Sequence, residues 1–390
     1  MPVKLAIVAS HPIQYWAPVY RSLMRQPSLQ IKVFYVAENG AEEYFDREFN
    51  CLVKWDRPLT EGYPSEFLRP GFTLDDFGFF SVDANNVKQA LTNFQPDFLL
   101  INGYGHRVNW RSVFARVANM KVMYISDSNS KDIRAPWKKT IKKILLSRFF
   151  KRVDYFLTTS PSNTEYLIEH NADARKFVAA PLPTDIEWLK KQQQKITNEQ
   201  IVKLRKKLNI SDDHKIVLYA GKLVAHKRPE DVIRLIYELK NEKVSAILVG
   251  SGEQQASLRE LTAELGLLSR VVFAGFVNQS GLPNYFCLAD VLVFPSSKEP
   301  YGLITSEVLP FGLPILAADN IGAVGASIRE GVNALLYPCG NIDRLSSHAH
   351  SVLSDKELFQ RLSNGSREIA ENFDVSVLVD IIVSICHGDR

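Results

Sequence analysis

The stretch Ser296-Ser297-Lys298-Glu299-Pro300-Tyr301-Gly302-Leu303-Ile304-Thr305-Ser306-Glu307 places two glutamates eight residues apart, between two short apolar runs. Val291–Phe294 precedes the stretch, and Phe311-Gly312-Leu313-Pro314 and then Ile315-Leu316 follow it. The pattern predicts a strand, a loop, the start of a helix, a short turn and a second strand. Such a unit is typical of α/β folds, which bind ligands at the carboxyl ends of parallel strands.

The two glutamates suit a ligand that carries many hydroxyl groups. Glu299 is predicted on the loop and Glu307 in the helix, and each carboxylate can accept two hydroxyl hydrogen bonds. Gly302 lets the backbone approach a ligand closely, so that amides of the helix start are placed to donate to phosphate oxygens. Two surface glutamates at this spacing are common, and the surrounding Pro-x-Gly and Gly-x-Pro frame is what makes the pair informative.

The bulk composition indicates an ordinary globular protein rather than a specialised class. A chain of 390 residues predicts two domains. The net charge of +4 gives no case for nucleic-acid binding. The four scattered cysteines show no zinc or C-x-x-C spacing, which predicts reduced thiols and a cytoplasmic protein. The N-terminal stretch does not have the pattern of a signal peptide. No apolar run reaches the roughly 18–20 residues needed to span a bilayer, so no membrane-spanning helix is expected.

Short apolar runs alternate with amphipathic stretches along the whole chain. In the first half, this alternation predicts strands at 5–9, 31–36, 98–101, 122–125, 155–158 and 176–179. Helices are predicted near 18–25, 86–93, 110–119, 137–150 and 163–169. Strands that alternate with helix-length segments predict a parallel sheet with crossover helices. Residues 37–81 are aromatic and show little regular pattern, as expected for an acceptor-binding insertion or an irregular cover.

A second series of alternating strands and helices begins at residue 215. Its strands are predicted at 215–221, 245–250, 271–274, 291–294 and 315–317. The sequence therefore predicts a first domain over 1–185 and a second over 186–370. A C-terminal helix over 371–390 is expected to cross back to the first domain.

The predicted strand ends in the second half carry residues suited to a nucleotide. Lys222 and Lys227 follow Gly221 near a helix start, which favours anions, and they suit a diphosphate. Gly250 and Gly252 resemble a phosphate-cradling turn. The alternative interpretations are two solvated lysines and a tight strand-to-helix connection.

The turn Gly275-Phe276-Val277 ends the third predicted strand of this half. The backbone amide and carbonyl of this turn are placed to contact the edge of a nucleotide base. The Phe276 side chain is placed to cover a ring of the ligand. The alternative is that Phe276 is an ordinary core aromatic residue.

Taken in order, these four turns resemble the retaining GT-B glycosyltransferases of glycosyltransferase family 4, over residues 215–345. The resemblance implies two Rossmann-like domains that face each other across a cleft, and transfer of a sugar from a nucleotide-diphosphate sugar to a hydroxyl acceptor. It implies that Lys222 and Lys227 stabilise the leaving diphosphate, Glu307 binds the ribose and Glu299 contacts the sugar. It also implies that the backbone of Gly302 and Leu303 contacts the phosphate or the sugar. Lys222 stands where the family commonly has arginine, which keeps the charge without the bidentate fork.

The first half offers candidates for the acceptor and for catalysis. The loop His11-Pro12-Ile13-Gln14-Tyr15 occurs in a branch of bacterial members of this family, and His11 and Gln14 are expected to contact donor or acceptor in the cleft. Asp127 lies where the family often has an aspartate after a histidine, and is expected to orient an acceptor hydroxyl. His106 follows another strand. For His11 and for His106, the alternative interpretation is a purely structural role.

A basic stretch near 134–152 contains no acidic residue and interleaves lysine and arginine with apolar side chains. This pattern predicts a basic amphipathic helix. One interpretation is peripheral contact with the anionic inner face of the cytoplasmic membrane, where a lipid-linked acceptor would be met. The alternative is a core-facing helix with a solvated basic face.

Neither a metal nor another cofactor is expected, because two lysines and backbone amides can neutralise a diphosphate. The leading hypothesis is a retaining glycosyltransferase that acts in bacterial polysaccharide, glycolipid or other glycoconjugate synthesis. The alternatives are a nucleotide-sugar epimerase of similar two-domain fold and a non-catalytic scaffold that binds nucleotide sugar. The base, the sugar, the acceptor and the general base stay open.

Overall fold

The computed structural model describes residues 1–115, 117, 119–129, 136–240 and 242–388. The chain forms two compact units, each with its own parallel sheet. The first unit contains Met1–Tyr44, Arg57–Pro183 and Asp374–Arg390, and the second contains Phe45–Asp56 and Thr184–Phe373. No helix within these described ranges is long and apolar enough to cross a bilayer.

The first half of the chain alternates strands and helices as the apolar pattern predicts. Its elements are β1 (Val3–Ala9), α1 (Ala17–Met24), β2 (Leu29–Tyr35), β3 (Tyr44–Asp46), β4 (Cys51–Val53), β5 (Ser65–Phe67), α2 (Val87–Phe94), β6 (Phe98–Asn102), α3 (Arg107–Val113), β7 (Lys121–Ile125), α4 (Pro136–Phe150), β8 (Tyr155–Thr158), α5 (Pro161–Glu169) and β9 (Phe177–Ala179).

Seven of these strands form the sheet of the first unit, in the order β5-β2-β1-β6-β7-β8-β9. All the neighbouring strands are parallel. The central strands read as unbroken apolar runs because helices cover both faces of such a sheet. Leu5, Ile7, Leu99 and Ile101, for example, are at most 2% exposed. The predicted parallel sheet is confirmed, and the order reverses between β1 and β6.

Two parts of the first half differ from the pattern-based prediction. The helix expected near 110–119 begins at Arg107 and ends at Val113. The Asn109 side chain donates to the carbonyls of Asn102 and Gly103, which ties the start of the helix to β6. The region 37–81 contains three strands, β3, β4 and β5, of three residues each. Runs this short cannot show a hydrophobic period.

The second half of the chain forms the other sheet, its covering helices and a last helix that returns to the first unit. Its elements are α6 (Ile186–Lys195), α7 (Asn198–Lys207), β10 (Lys215–Ala220), α8 (Glu230–Glu238), β11 (Val244–Val249), α9 (Gln255–Glu264), β12 (Val271–Gly275), α10 (Leu282–Leu288), β13 (Val291–Phe294), α11 (Ile304–Glu307), β14 (Ile315–Ala318), β15 (Ala334–Tyr337), α12 (Ile342–Ser354), α13 (Lys356–Ala370) and α14 (Val375–His387).

The six parallel strands of the second unit are ordered β12-β11-β10-β13-β14-β15. The four turns with candidate residues follow β10, β11, β12 and β13, which are consecutive neighbours in this order. Since the carboxyl ends of parallel strands meet at one edge, the topology brings the four turns to the same edge of one sheet. The order reverses between β10 and β13. The sequence pattern missed β15, which follows an irregular stretch.

The last helix belongs to the first unit. Helix α14 is capped by the Asp374 carboxylate, which accepts a hydrogen bond from the Ser376 amide, and it packs against α1. Leu378 and Ile382 of α14 and Val19 and Leu23 of α1 are fully buried. The chain thus leaves the first unit after Pro183 and rejoins it at Asp374.

Candidate functional site

The centre of the candidate site is an ion pair where the strand order of the second unit reverses. Lys227 lies in the turn after β10, and its Nζ contacts Glu299 Oε2, in the loop after β13. Lys227 is 20% exposed and Glu299 9% exposed. Ligands of open α/β sheets bind at such a reversal. The structure therefore brings together two residues, predicted separately from the sequence, at the expected position.

Backbone contacts hold these two segments together. The Ser297 amide donates to the His226 carbonyl at 2.8 Å, and the Ser297 hydroxyl donates to the same oxygen at 3.0 Å. The buried Tyr219 hydroxyl donates to the Lys222 carbonyl at 2.7 Å, and burial, assisted by the negative charge of Glu299, raises the pKa of this tyrosine well above its usual value. The lysines thus stand on a fixed turn rather than on a free loop.

Gly250 and Gly252 are required by close packing of two neighbouring turns. A Cβ at Gly250, where φ is +138°, would overlap with the Gly221 carbonyl oxygen, and one at Gly252 would overlap with the Leu223 carbonyl. The same turns are joined by hydrogen bonds from the Gly221 amide to Val249 and from the Leu223 amide to Ser251, both of 2.9 Å. Packing alone explains both glycines, and a role in phosphate binding stays a prediction.

The segment between the two glutamates turns sharply at Gly302. Its φ is +96°, and a Cβ there would overlap with the Phe294 ring. Helix α11 then makes a single turn that ends at Glu307, whose amide donates to Leu303 O at 3.1 Å. A one-turn helix is a weak anion site by itself, so the backbone contacts of Gly302 and Leu303 stay a prediction. Glu307 is partly buried on this turn.

Lys222, the other candidate for the diphosphate, contacts a hairpin from the first half of the chain. This hairpin, Phe45–Asp56, belongs to the second unit and includes most of β3 and all of β4. Lys222 Nζ is 2.5 Å from Glu48 Oε2 and 3.6 Å from Asp46 Oδ1, and it lies 4.9 Å from the Phe49 ring centroid. The hydrogen bond from Lys222 holds the pKa of Glu48 below its usual value, so this carboxylate is charged at neutral pH.

The same hairpin covers Phe276, the aromatic residue predicted to face a base. The Phe276 ring packs edge-on against Phe49 at 5.1 Å and against Trp55 at 6.3 Å between centroids. Two residues further along this turn anchor the end of the hairpin, because Asn278 Nδ2 donates to the Lys54 carbonyl and the Ser280 amide donates to Asp56.

In the first unit, the candidate histidines also meet where the strand order reverses. His11 follows β1 and His106 precedes α3 after β6. Burial, and secondarily the neighbouring His106, lower the pKa of His11 to about 4, which leaves the ring uncharged at neutral pH. His11 Nδ1 is 2.9 Å from Ser10 Oγ, and its ring packs 4.7 Å from that of Phe77. Burial also lowers the pKa of His106.

Asp127 and Gln14 lie at the same edge of this sheet. Asp127 is exposed after β7, and Gln14 is partly buried just before α1. Burial, followed by the negative charge of Asp127, raises the pKa of Tyr15, which indicates that Asp127 lies near the loop after β1. The edge therefore combines two uncharged imidazoles with a carboxylate, groups able to hold and orient hydroxyl groups.

Sequence reasoning missed the hairpin residues Glu48, Phe49 and Trp55, and also Phe77. All four come from the region 37–81, where the sequence carried no regular pattern. Their aromatic content was the signal available, since aromatic side chains in an irregular segment need a surface to pack on.

Among the described residues, no group of three or more His, Cys, Asp or Glu side chains is arranged to hold a metal ion.

Residues 200–369 match the sequence model of the family described as glycosyl transferases group 1. This stretch contains the turns after β10, β11, β12 and β13. An uncharacterized glycosyltransferase of Methanocaldococcus jannaschii is 31% identical over 172 residues, which are 44% of this chain and 44% of that protein. The alpha-monoglucosyldiacylglycerol synthase of Streptococcus pneumoniae is 28% identical over 249 residues, which are 62% of this chain and 55% of that protein. The chain thus spans about half the length of these curated relatives.

The whole chain resembles solved glycosyltransferase structures. The Anabaena protein Alr3699/HepE in complex with UDP and glucose aligns with a TM-score of 0.73 at 18% identity, over 99% of this chain and 100% of that chain. At this level of identity the likeness shows the fold. It confirms the predicted architecture of two Rossmann-like units, the GT-B fold.

Proposed function

We propose that this protein transfers a sugar from a nucleotide-diphosphate sugar to a hydroxyl acceptor with retention of configuration. The premise is a chain that has the GT-B fold and whose C-terminal half matches the glycosyl transferases group 1 family. The Lys227–Glu299 pair carries this proposal. A sugar diphosphate presents hydroxyl groups and phosphate oxygens a few atoms apart. A cation in contact with a carboxylate, at the reversal of the strand order, matches that combination.

We assign donor binding to the second unit. Lys222 and Lys227 neutralise the diphosphate, Glu299 accepts hydrogen bonds from the transferred sugar, and Glu307 accepts them from the ribose. Phe276 packs against the base. The two lysines supply the charge that a divalent cation would otherwise supply, so activity is expected to persist in EDTA.

We assign acceptor binding to the first unit, where His11, Gln14, His106 and Asp127 line one edge of the sheet. In the proposed reaction, the bond between the anomeric carbon and the phosphate oxygen breaks, and the acceptor oxygen bonds to that carbon on the same face. The acceptor proton passes to the leaving phosphate oxygen. Asp127 and His106 orient the acceptor hydroxyl, and Lys227 stabilises the charge that develops on the diphosphate.

The proposal is tested by identifying the donor first. Thermal shifts with UDP, GDP, ADP, CDP and dTDP would select the nucleotide, and its sugar conjugates would then be incubated with acceptor mixtures. Release of nucleoside diphosphate that depends on acceptor, with a product of unchanged anomeric configuration, supports the proposal. A new epimer formed from the donor alone would identify an epimerase instead, and binding without turnover would identify a scaffold.

Glu307→Ala is expected to raise the Kd for the nucleoside diphosphate about 10- to 100-fold. It removes hydrogen bonds from ribose hydroxyls to a charged acceptor, each of which contributes about 1.5–3 kcal/mol. Isothermal titration calorimetry measures the change. Glu260→Ala, which removes an exposed glutamate of α9, is the control and should bind as the wild type does. Unchanged binding by Glu307→Ala would refute its assignment to the ribose.

We further propose that α4 contacts the anionic cytoplasmic face of a membrane. Ile141, Ile144 and Leu145 are 52%, 66% and 50% exposed, and they form one stripe with Arg148 at a spacing of three and four residues. Lys139 and Lys143 are exposed elsewhere on the same helix. A core-facing helix would bury its apolar residues and expose only its basic ones. Here apolar and basic side chains are exposed together, as surface-bound helices require.

The opposite face of α4 is already occupied. Leu146 and Phe149 are buried, and Lys142 Nζ lies 5.3 Å from the Tyr104 ring centroid and 4.9 Å from that of Tyr166. The helix is therefore fixed to the first unit by one face, which leaves the apolar stripe for an external partner. An anionic bilayer matches both its apolar and its basic groups.

The double variant Ile144→Asn/Leu145→Asn is expected to lose at least about tenfold in liposome binding, since it removes two side chains that each contribute about 1.5–3 kcal/mol when fully buried. Flotation would use phosphatidylcholine vesicles with and without phosphatidylglycerol. Ile168→Asn, at an isoleucine of α5 that is 54% exposed, is the matched control. Equal flotation by all three proteins, or no wild-type binding at low salt, would refute the contact.

A further inference from the structure

The Phe45–Asp56 hairpin contacts the two parts of the second unit to which we assign the diphosphate and the base. Its carboxylates reach Lys222, after β10, and its aromatic rings reach Phe276, after β12. These contacts link the hairpin to the two turns on either side of β11. The hairpin comes from a part of the chain to which the sequence assigned no contact with the nucleotide.

Glu48 presents to Lys222 the same chemistry as a phosphate. A carboxylate oxygen at 2.5 Å from Nζ is a charge-assisted hydrogen bond, of the kind that a phosphate oxygen would make. Asp46 adds a second negative charge at 3.6 Å from the same atom. A diphosphate that approached Lys222 would meet these two carboxylates, and like charges repel.

The ion pair is weak enough to exchange. Glu48 is 60% exposed and Lys222 is 26% exposed. Solvent screens such a pair, and exposed pairs of this kind contribute little to stability. The aromatic contacts with Phe276 and the hydrogen bonds from Asn278 and Ser280 hold the hairpin in place, so that Glu48 alone can leave Lys222 without detaching the hairpin.

We propose that Glu48 is an internal competitor of the donor diphosphate, which sets the affinity of the second unit for nucleoside diphosphates by occupying Lys222. The inference rests on the proposed function, because it takes Lys222 as a diphosphate contact. It adds an affinity-determining residue from the hairpin. A nucleoside diphosphate must displace Glu48 from Lys222, and its phosphate charge allows it to do so. A nucleoside without phosphates does not contact Lys222, so its binding does not depend on Glu48.

Glu48→Gln tests the proposal, because it removes the charge and keeps the size of the side chain. Asp46 is less suitable, since its Oδ1 accepts hydrogen bonds from the amides of Glu48 and Phe49 and shapes the hairpin turn. Calorimetry with UDP, GDP and ADP, and with uridine, guanosine and adenosine, would be done on the full chain. Glu48→Gln is expected to tighten nucleoside diphosphate binding roughly two- to fivefold and to leave nucleoside binding unchanged.

Two controls isolate the contact with Lys222. Glu357→Gln removes one exposed negative charge from α13 of the same unit and should leave the Kd unchanged. In a Lys222→Gln background, Glu48→Gln should no longer tighten binding, because the group for which it competes is absent. Thermal denaturation and the fluorescence of Trp55, compared with that of a Trp55→Phe variant, report whether the hairpin keeps its position.

The outcomes separate this inference from the proposed function. If wild-type protein binds nucleoside diphosphate and Glu48→Gln binds it equally or more weakly, Glu48 does not compete for Lys222, and the inference is overturned. If wild-type protein binds no nucleoside diphosphate at all, the donor site itself is refuted and the inference falls with it.

Discussion

Lys227→Ala is expected to lower kcat for sugar transfer by a factor of about 10²–10³, the effect of removing one group that stabilises charge in a transition state. Lys227 is 20% exposed and lies against Glu299, which is 9% exposed. Charges in such a partly desolvated setting interact more strongly than in water. The measurement is the rate of nucleoside diphosphate release at saturating donor and acceptor, once the donor is identified.

The loss must be separated from the effect of leaving Glu299 without its lysine. The double variant Lys227→Ala/Glu299→Gln removes the unbalanced negative charge and should remain as slow as the single variant. Recovery of the rate in the double variant would show that the loss came from the stranded carboxylate rather than from the leaving group. Lys203→Ala, at an exposed lysine of α7, should be fully active.

Gly250→Ala is expected to destabilise the second unit by about 4 kcal/mol or more, the range seen when a substitution forces a severe clash or strained backbone. The new Cβ would overlap with the Gly221 carbonyl oxygen, at a φ of +138° that side chains rarely adopt. The Gly221 turn cannot move away easily, because its amide donates to Val249 on β11. Urea denaturation followed by circular dichroism measures the change in the free energy of unfolding.

Gly266→Ala is the matched control for this clash. Gly266 has a φ of +69°, and a Cβ there would meet no atom within 4 Å. Only the left-handed backbone is penalised, by roughly 1–2 kcal/mol. If Gly250→Ala proved as stable as Gly266→Ala and instead weakened nucleoside diphosphate binding, the glycine would serve the ligand rather than the packing of the two turns.

The strands of both sheets other than β5 and β15 were predictable from the sequence, because buried parallel strands read as short continuous apolar runs. Tyr155–Thr158 and Val291–Phe294 match the structure to the residue. Strands β3, β4 and β5 were not predictable, since three residues cannot establish a period. Their positions depend on what they pack against, which for the hairpin is a surface more than 160 residues away in the chain.

The residues of the candidate site that follow strands were predictable from the sequence. The contacts between residues far apart in the chain were not. Lys227 and Glu299 each follow an apolar run, so the sequence places each at the edge of a sheet. Their mutual contact depends on β10 lying beside β13, an order that the apolar pattern does not specify. The ion pair between Glu48 and Lys222 joins residues 174 positions apart, and no local pattern carries that information.

The return of α14 to the first unit also affects the order in which the two units are completed during synthesis. The ribosome makes every strand of the first sheet before residue 180, but α14 emerges only after the whole second unit. At 5–20 residues per second, the apolar side of α1 that α14 will cover waits for about 10–40 s after the last strand of the first sheet is made. All six strands of the second sheet are synthesised during that interval. The first unit therefore folds in two stages. Until α14 packs, the nascent chain exposes the apolar surface of α1, to which chaperones can bind.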